Sequence, residues 1–179
     1  AASAGNWIMR HEPEIWARTA KYVMLPTYLN YKLTGNLIDS ASNQIGHIPF
    51  DYKNRRWMKP GSLTRCFCDV PNEKLCDLVP SGTVIGTITD EVSALTGIPA
   101  GLPLISTGSD KGCETLGLAV VDSDKASISL GTTATIQFST TQYVEPQQFL
   151  PAYPGVLNDH YNPEIEIYRG LWLLSWFVK

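Results

Sequence analysis

The sequence predicts an α/β protein, and three stretches carry that prediction. The first thirty-five residues hold two helical patterns, one broken at Glu12–Pro13 and one started by Pro26. Between Val84 and Ala119 a strand, a capped helix, a short strand and a second helix follow one another. From Lys125 to Thr140, "KASISLGTTATIQFST" places two β-prone runs around a Gly-Thr-Thr turn. Helical and strand periodicities that alternate within one chain are the mark of the mixed class.

Taken in order, "NWIMRHEPEIWARTAKY" reads as helix with a break at Glu12–Pro13, since proline is tolerated in the first helical turn. Ile15, Trp16, Ala20 and Val23 supply its apolar face. "PTYLNYKLTG" starts at Pro26, turns Tyr28, Leu29 and Leu33 inward, and ends at Gly35, where a left-handed glycine closes a helix. Residues 36–62, with "DSASN" and "DYKNRRW", read as surface loops carrying short elements. Val84 to Ile88 alternates like a strand. Thr89 suits an N-cap, Asp90 and Glu91 suit the positive end of the following helix, and Gly97 ends it. "GIPAGLP" is a turn, "LPLIST" a short buried strand, and Lys111 to Ala119 a helix weakened by two glycines. "SISLGTTATIQ" forms a hairpin. A Pro-rich loop follows, then the strand "EIEIYRG" and a helix from "LWLLSWFVK" whose Trp172 and Trp176 are expected in a core. The expected domain boundary is Val121–Asp124.

At 179 residues the chain is long enough for one ordinary domain or parts of two. It is 44% hydrophobic and 17% charged, the balance of a globular protein. The net charge of −3, with no basic cluster beyond Arg55–Arg56, argues against nucleic-acid and anionic-membrane partners. "LWLLSWFV" is too short to cross a bilayer, and "AASAGNW" does not have the form of a signal peptide. Cys66, Cys68, Cys76 and Cys113 fit no common zinc spacing and read as reduced, mostly buried thiols of a cytoplasmic protein. The chain opens directly into a helix pattern and stops within another, so a piece of a longer protein is expected.

Two features could carry chemistry. Asp110, in "ISTGSDKGCETLG", follows a strand and lies between Gly108 and Gly112. A carboxylate there could take a proton from a substrate hydroxyl or hold a magnesium-bound water. It could equally cap the next helix through the amide of Cys113. Gly131, Thr132 and Thr133 offer backbone amides and hydroxyls that could cradle a phosphate, or form an ordinary hairpin turn. Together they match what phosphoryl transfer needs, a base for the acceptor and a clamp for the donor. Lys111 could pair with Asp110, touch a phosphate or simply be solvated, Asp39 could bind a ligand or cap a turn, and His11, His47 and His160 form no readable triad.

Four blocks in order resemble the FGGY family of carbohydrate kinases. "NWIMRHEPEIW" is similar to the tail of the family's first signature, with Ala4 where a lysine is expected. "LPTYLNYKLTG" with "DSASN" resembles its second block, with Thr27 where an aspartate is usual. "GTVIGTITDEVSALTGIPAGLPLISTGSD" resembles the approach to the catalytic aspartate, and "SLGTTA" the phosphate loop. The resemblance implies an actin-like ATPase (ribonuclease H-like) fold, present in part. Residues 1–121 would be the later part of the N-terminal, sugar-binding domain, and residues 122–179 the start of the C-terminal, ATP-binding domain. It implies Asp110 as general base and Gly131, Thr132 and Thr133 along the ATP phosphates. Mg2+ would be held mainly through ATP, with Asp110 the candidate protein contact. The substrate would be a small sugar or polyol of ketopentose type, and a homodimer is among the expected assemblies. Lys111 replaces an amide side chain common after the aspartate. The alternatives are another phosphotransferase on the actin-like plan, against which the "LTG…DSASN" block argues, and a catalytically dead ligand-sensing relative.

Overall fold

The computed structural model describes residues 3–46, 48–148 and 150–178, so His47 lies outside the described residues. The chain packs as two units, Ala1–Thr107 and Gly108–Lys179. The expected boundary at Val121–Asp124 lies inside the second unit.

The first unit opens with α1 (Ala4–His11) and α2 (Pro13–Arg18). The break at Glu12–Pro13 is present, but the second helix stops at Arg18 and residues 19–24 are non-helical. Ser3 caps α1 by accepting from the Asn6 amide, and His11 stacks on Trp7. The α3 helix (Leu25–Thr34) ends on Gly35 at φ 80°, the left-handed cap read from the sequence. Its inward residue differs from expectation. Tyr28 and Leu29 are about half exposed, and Thr27 is the buried residue.

Residues 36–62 are not a surface loop throughout. The β1 strand (Ile38–Ser40) leads into a buried 3₁₀ turn and then to Phe50, which has no exposure. The segment can be buried because its polar groups satisfy one another. Asp39 accepts from Thr27, and Ser40, Ser42 and Ser81 share hydroxyl bonds at 2.9 Å. Next come β2 (Phe50–Asp51) and its antiparallel partner β3 (Arg56–Trp57), then β4 (Asp77–Val79), parallel to β1. Cys68, Val70 and Leu75 form the apolar centre, with Trp16, Tyr22 and Trp57 against them. Buried Arg65 satisfies its guanidinium with the carbonyls of Met58 and Val70, with Asn72, and with the Asp69 carboxylate at 3.2 Å.

The β5 strand (Val84–Thr87) pairs antiparallel with β6 (Pro103–Ile105), and α4 (Asp90–Thr96) joins them. Thr89 caps α4 through the Val92 amide and Gly97 ends it at φ 78°, as the sequence indicates. The β6 strand is not buried as expected, because it belongs to a two-stranded ribbon and Ile105 is 52% exposed.

The second unit consists of α5 (Asp110–Gly117), the hairpin β7 (Ser127–Leu130) and β8 (Ala134–Gln137), the short pair β9 (Tyr153–Pro154) and β10 (Tyr161–Asn162), then β11 (Glu164–Ile167) and α6 (Trp172–Phe177). The sheet order is β11-β8-β7, all antiparallel. The α6 helix buries none of its side chains, so Trp172 and Trp176 are not core residues.

Candidate functional site

Asp110 is not the cap of α5. Ser109 takes that role, accepting from the Gly112 amide at 3.1 Å, while Cys113 donates its amide to the Ser109 carbonyl. Asp110 is therefore the first residue inside the helix, exposed, where the unpaired amides of the first turn favour negative charge. Its Oδ1 accepts from the Lys111 amide at 2.8 Å. Its Oδ2 makes no hydrogen bond among the described residues, which leaves one carboxylate oxygen for a proton or a ligand. The parallel-strand rule does not explain this position, because β6 pairs antiparallel.

The direction of α5 relates Asp110 to the Gly-Thr-Thr turn. Lys111 Nζ donates to Ser129 Oγ at 2.8 Å, and Thr115 Oγ1 lies 3.0 Å from Ser127 Oγ. Rising numbers along α5 meet falling numbers along β7. The N terminus of α5, with Asp110, thus lies toward the Leu130 end of β7, where the hairpin turns through Gly131, Thr132 and Thr133. A polar chain fixes the arrangement. Thr115 donates to Gln137 Oε1, and Gln137 Nε2 donates to Glu164 Oε2 at 3.0 Å. Between α5 and the hairpin runs a groove of about 390 Å³ lined by Lys111, Thr115, Ser127, Ser129 and Gln137 among others.

The charges at this end are interdependent. Lys111 pairs with Glu114 at 2.8 Å rather than with Asp110, and that bond is the chief cause of its raised pKa. Burial pushes the Glu164 carboxyl up; Glu166 adds to the rise, and Lys111 opposes it. Asp110 acts on both Lys111 and Glu164, so the carboxylate, the ammonium and Glu164 belong to one electrostatic group.

In the turn, Gly131 donates its amide to the Thr133 carbonyl at 3.0 Å. The side chains of Thr132 and Thr133 make no hydrogen bond among the described residues, and Thr132 is exposed. Free hydroxyls on a tight turn fit a phosphate group. Sequence reading missed Ser129, Gln137, Glu164 and the "RGLW" segment, whose roles depend on strand register. A glycine ahead of a tryptophan was the one local signal for the last. Other candidates separate from this cluster. Asp39 is buried in the first unit, His11 lies on α1, and His160 Nδ1 lies 3.2 Å from the Asn158 carbonyl. Among the described residues no group of three or more His, Cys, Asp or Glu could hold a metal ion. No described helix is long and apolar enough to cross a membrane.

Comparison with known proteins supplies the family. An uncharacterized sugar kinase, YgcE, of Escherichia coli K12 is 33% identical over 150 residues, covering 83% of this chain and 30% of that protein. The xylulose kinase of the same organism is 28% identical over 175 residues, covering 97% of the chain and 35% of the relative. The crystal structure of xylulose kinase from Rhodospirillum rubrum matches 97% of this chain and 35% of its own, with a TM-score of 0.83 at 21% identity, a likeness of fold. The chain thus spans about a third of the length of the relatives it matches, and its fold is the partial actin-like α/β arrangement that the sequence implied. Residues 2–117 match the N-terminal domain of the FGGY family of carbohydrate kinases, and the chain belongs to that family.

Proposed function

We propose that this chain forms part of an enzyme that transfers the γ-phosphoryl group of ATP to a hydroxyl of a small sugar or polyol, of ketopentose type. The observation that carries the reading is the shared location of the α5 N terminus and the Gly-Thr-Thr turn at one end of the second unit. The kinases named among the relatives support the reaction class. In this reading Asp110 Oδ2 accepts the proton of the sugar hydroxyl. The hydroxyl oxygen forms its bond to the γ-phosphorus as the bond to the β,γ-bridging oxygen breaks, and ADP leaves with that electron pair. Gly131, Thr132 and Thr133 lie along the phosphates and hold them for in-line attack. Magnesium bound to ATP neutralises charge on the phosphates. The residues from 122 onward begin the ATP-binding domain, those up to 121 belong to the sugar-binding domain, and the protein works in the cytoplasm.

The test is Asp110→Asn in a full-length kinase carrying this sequence, assayed for sugar-dependent ADP release over a panel of ketoses, polyols and aldonates. Loss of the base is expected to lower kcat roughly a hundredfold or more. Unchanged turnover would remove Asp110 from the mechanism. A kinase-dead but ligand-binding parent would show the reading to be wrong in class.

A further inference from the structure

The Gly131 and Thr132 carbonyls of the turn are engaged by a segment that the catalytic reading leaves unused. The Leu171 amide donates to the Gly131 carbonyl at 3.1 Å. The Thr132 carbonyl takes two bonds, from the Gly170 amide at 2.8 Å and from Trp172 Nε1 at 3.0 Å. Gly170 is buried, and a Cβ built on it would collide with the carbonyl of Gly131 and lie 2.7 Å from that of Thr132. Glycine is required there by close backbone approach. The Arg169 guanidinium lies over the Trp172 ring, 5.4 Å from its centre, within range of a cation–π contact. The opposite side of the turn differs. The hydroxyls of Thr132 and Thr133 are unbonded among the described residues. The Gly131 amide is taken by the Thr133 carbonyl, and with the carbonyls engaged the amides of Thr132 and Thr133 and the two hydroxyls remain as the donors an anion requires. Released carbonyls could rotate toward the same space and repel it.

We propose that Gly170, Leu171 and Trp172 are positioning residues for the nucleotide phosphates: they clamp the Gly131 and Thr132 carbonyls so that these turn away from the ligand and the donors of the turn face it. The inference rests on the reading of that turn as the phosphate loop. It assigns to "RGLW" a role in ATP affinity and none in sugar recognition.

The decisive variant is Trp172→Phe in a full-length kinase carrying this sequence, since it keeps the ring and removes the N–H. The ATP KM is expected to rise about tenfold, the scale of one hydrogen bond, while sugar KM and kcat at saturating ATP stay within about twofold. A general loss of structure would not divide the two KM values in this way. Gly170→Ala should act in the same direction more strongly; if it fails to fold, as circular dichroism would report, Trp172→Phe still decides. Thr132→Ala is measured in parallel. If it raises the ATP KM and Trp172→Phe does not, the clamp is wrong and the phosphate loop stands. If neither variant changes the ATP KM, both fall. ADP binding should also shift the Trp172 indole resonance, identified by its absence in Trp172→Phe, and an unmoved resonance at saturating ADP would count against the clamp.

Discussion

Asp39 shows how a buried charge is kept in this chain. It is 3% exposed, and its oxygens accept from the Thr27 hydroxyl at 2.6 Å, the Ser40 amide at 2.7 Å and Asn43 Nδ2 at 3.1 Å. Thr27→Val would keep the volume and remove the strongest of these donors. Asp39 Oδ2 would keep its bond from Asn43 Nδ2, so the loss is that of one hydrogen bond to a carboxylate, about 1.5–3 kcal/mol, read as a lowered urea midpoint with an unchanged slope. Asp39 also acts on Cys76. Burial first, and then the Asp39 charge, push the Cys76 thiol from its ordinary value of 9.0 up to about 11, against a smaller downward pull from Thr27. The sign follows from which form folding favours. The folded thiol stays neutral where the unfolded one ionises, so this contribution is complete below about pH 9 and is lost as pH climbs toward about 11. Urea midpoints measured across that window should fall, and Cys76→Ala should flatten the fall. The same burial makes Cys68 and Cys76 slow toward iodoacetamide while Cys66 and Cys113, both exposed, react. Sequence reading named Asp39 as a turn residue, and the hydrogen bonds to Ser40 and Asn43 agree with that. Its burial was not readable, because the partner Thr27 comes from a separate helix.

Elements written in local chemistry were the legible ones. The α4 helix is bounded by Thr89 and Gly97, residues whose effects act within one turn of backbone, and both perform as their types predict. Thr89→Ala should lower stability by about 1 kcal/mol, and Thr89→Ser should restore most of it, both measured by denaturant unfolding. The hairpin was equally readable from two β-prone runs around Gly-Thr-Thr, and the structure adds its register, Ser129 with Thr135 and Leu130 with Ala134. Of the two readings left open for Asp110, the helix cap is the one the structure gives to its neighbour Ser109. Ser109 and Asp110 are both good N-caps, and only the extended backbone of Ser109, at ψ 158°, decides between them. That one-residue difference matters for function, because Asp110 is not tied to the amide of Cys113, and its Oδ2 makes no hydrogen bond among the described residues. Burial of β6 and α6 was not readable at all. An apolar run states that a face wants cover and does not say what covers it.

On the scale of the whole chain, the second unit carries an inversion that periodicity alone could not rank. The polar face of its sheet, with Ser127, Ser129 and Gln137, lies under α5 through the bonds of Lys111 and Thr115. The apolar face lies in register across all three strands, Ile128 with Ile136 and Ile165, and Leu130 with Ala134 and Ile167. Ile128 and Ile167 are each more than 60% exposed. Contiguous apolar area of this kind attracts apolar probes. The isolated chain should therefore bind anilinonaphthalene sulfonate while retaining its far-ultraviolet circular dichroism, and Ile165→Lys with Ile167→Lys should reduce that binding severalfold. A second consequence concerns activity. Phosphoryl transfer depends on groups that position and neutralise the phosphates from several directions. The chain spans about a third of the length of its relatives. We expect this chain alone to show no sugar-dependent ATP hydrolysis or sugar phosphorylation in a coupled assay, while a full-length kinase carrying it turns over. Sugar-dependent turnover by the 179 residues themselves would mean that α5 and the Gly-Thr-Thr turn suffice as an active site.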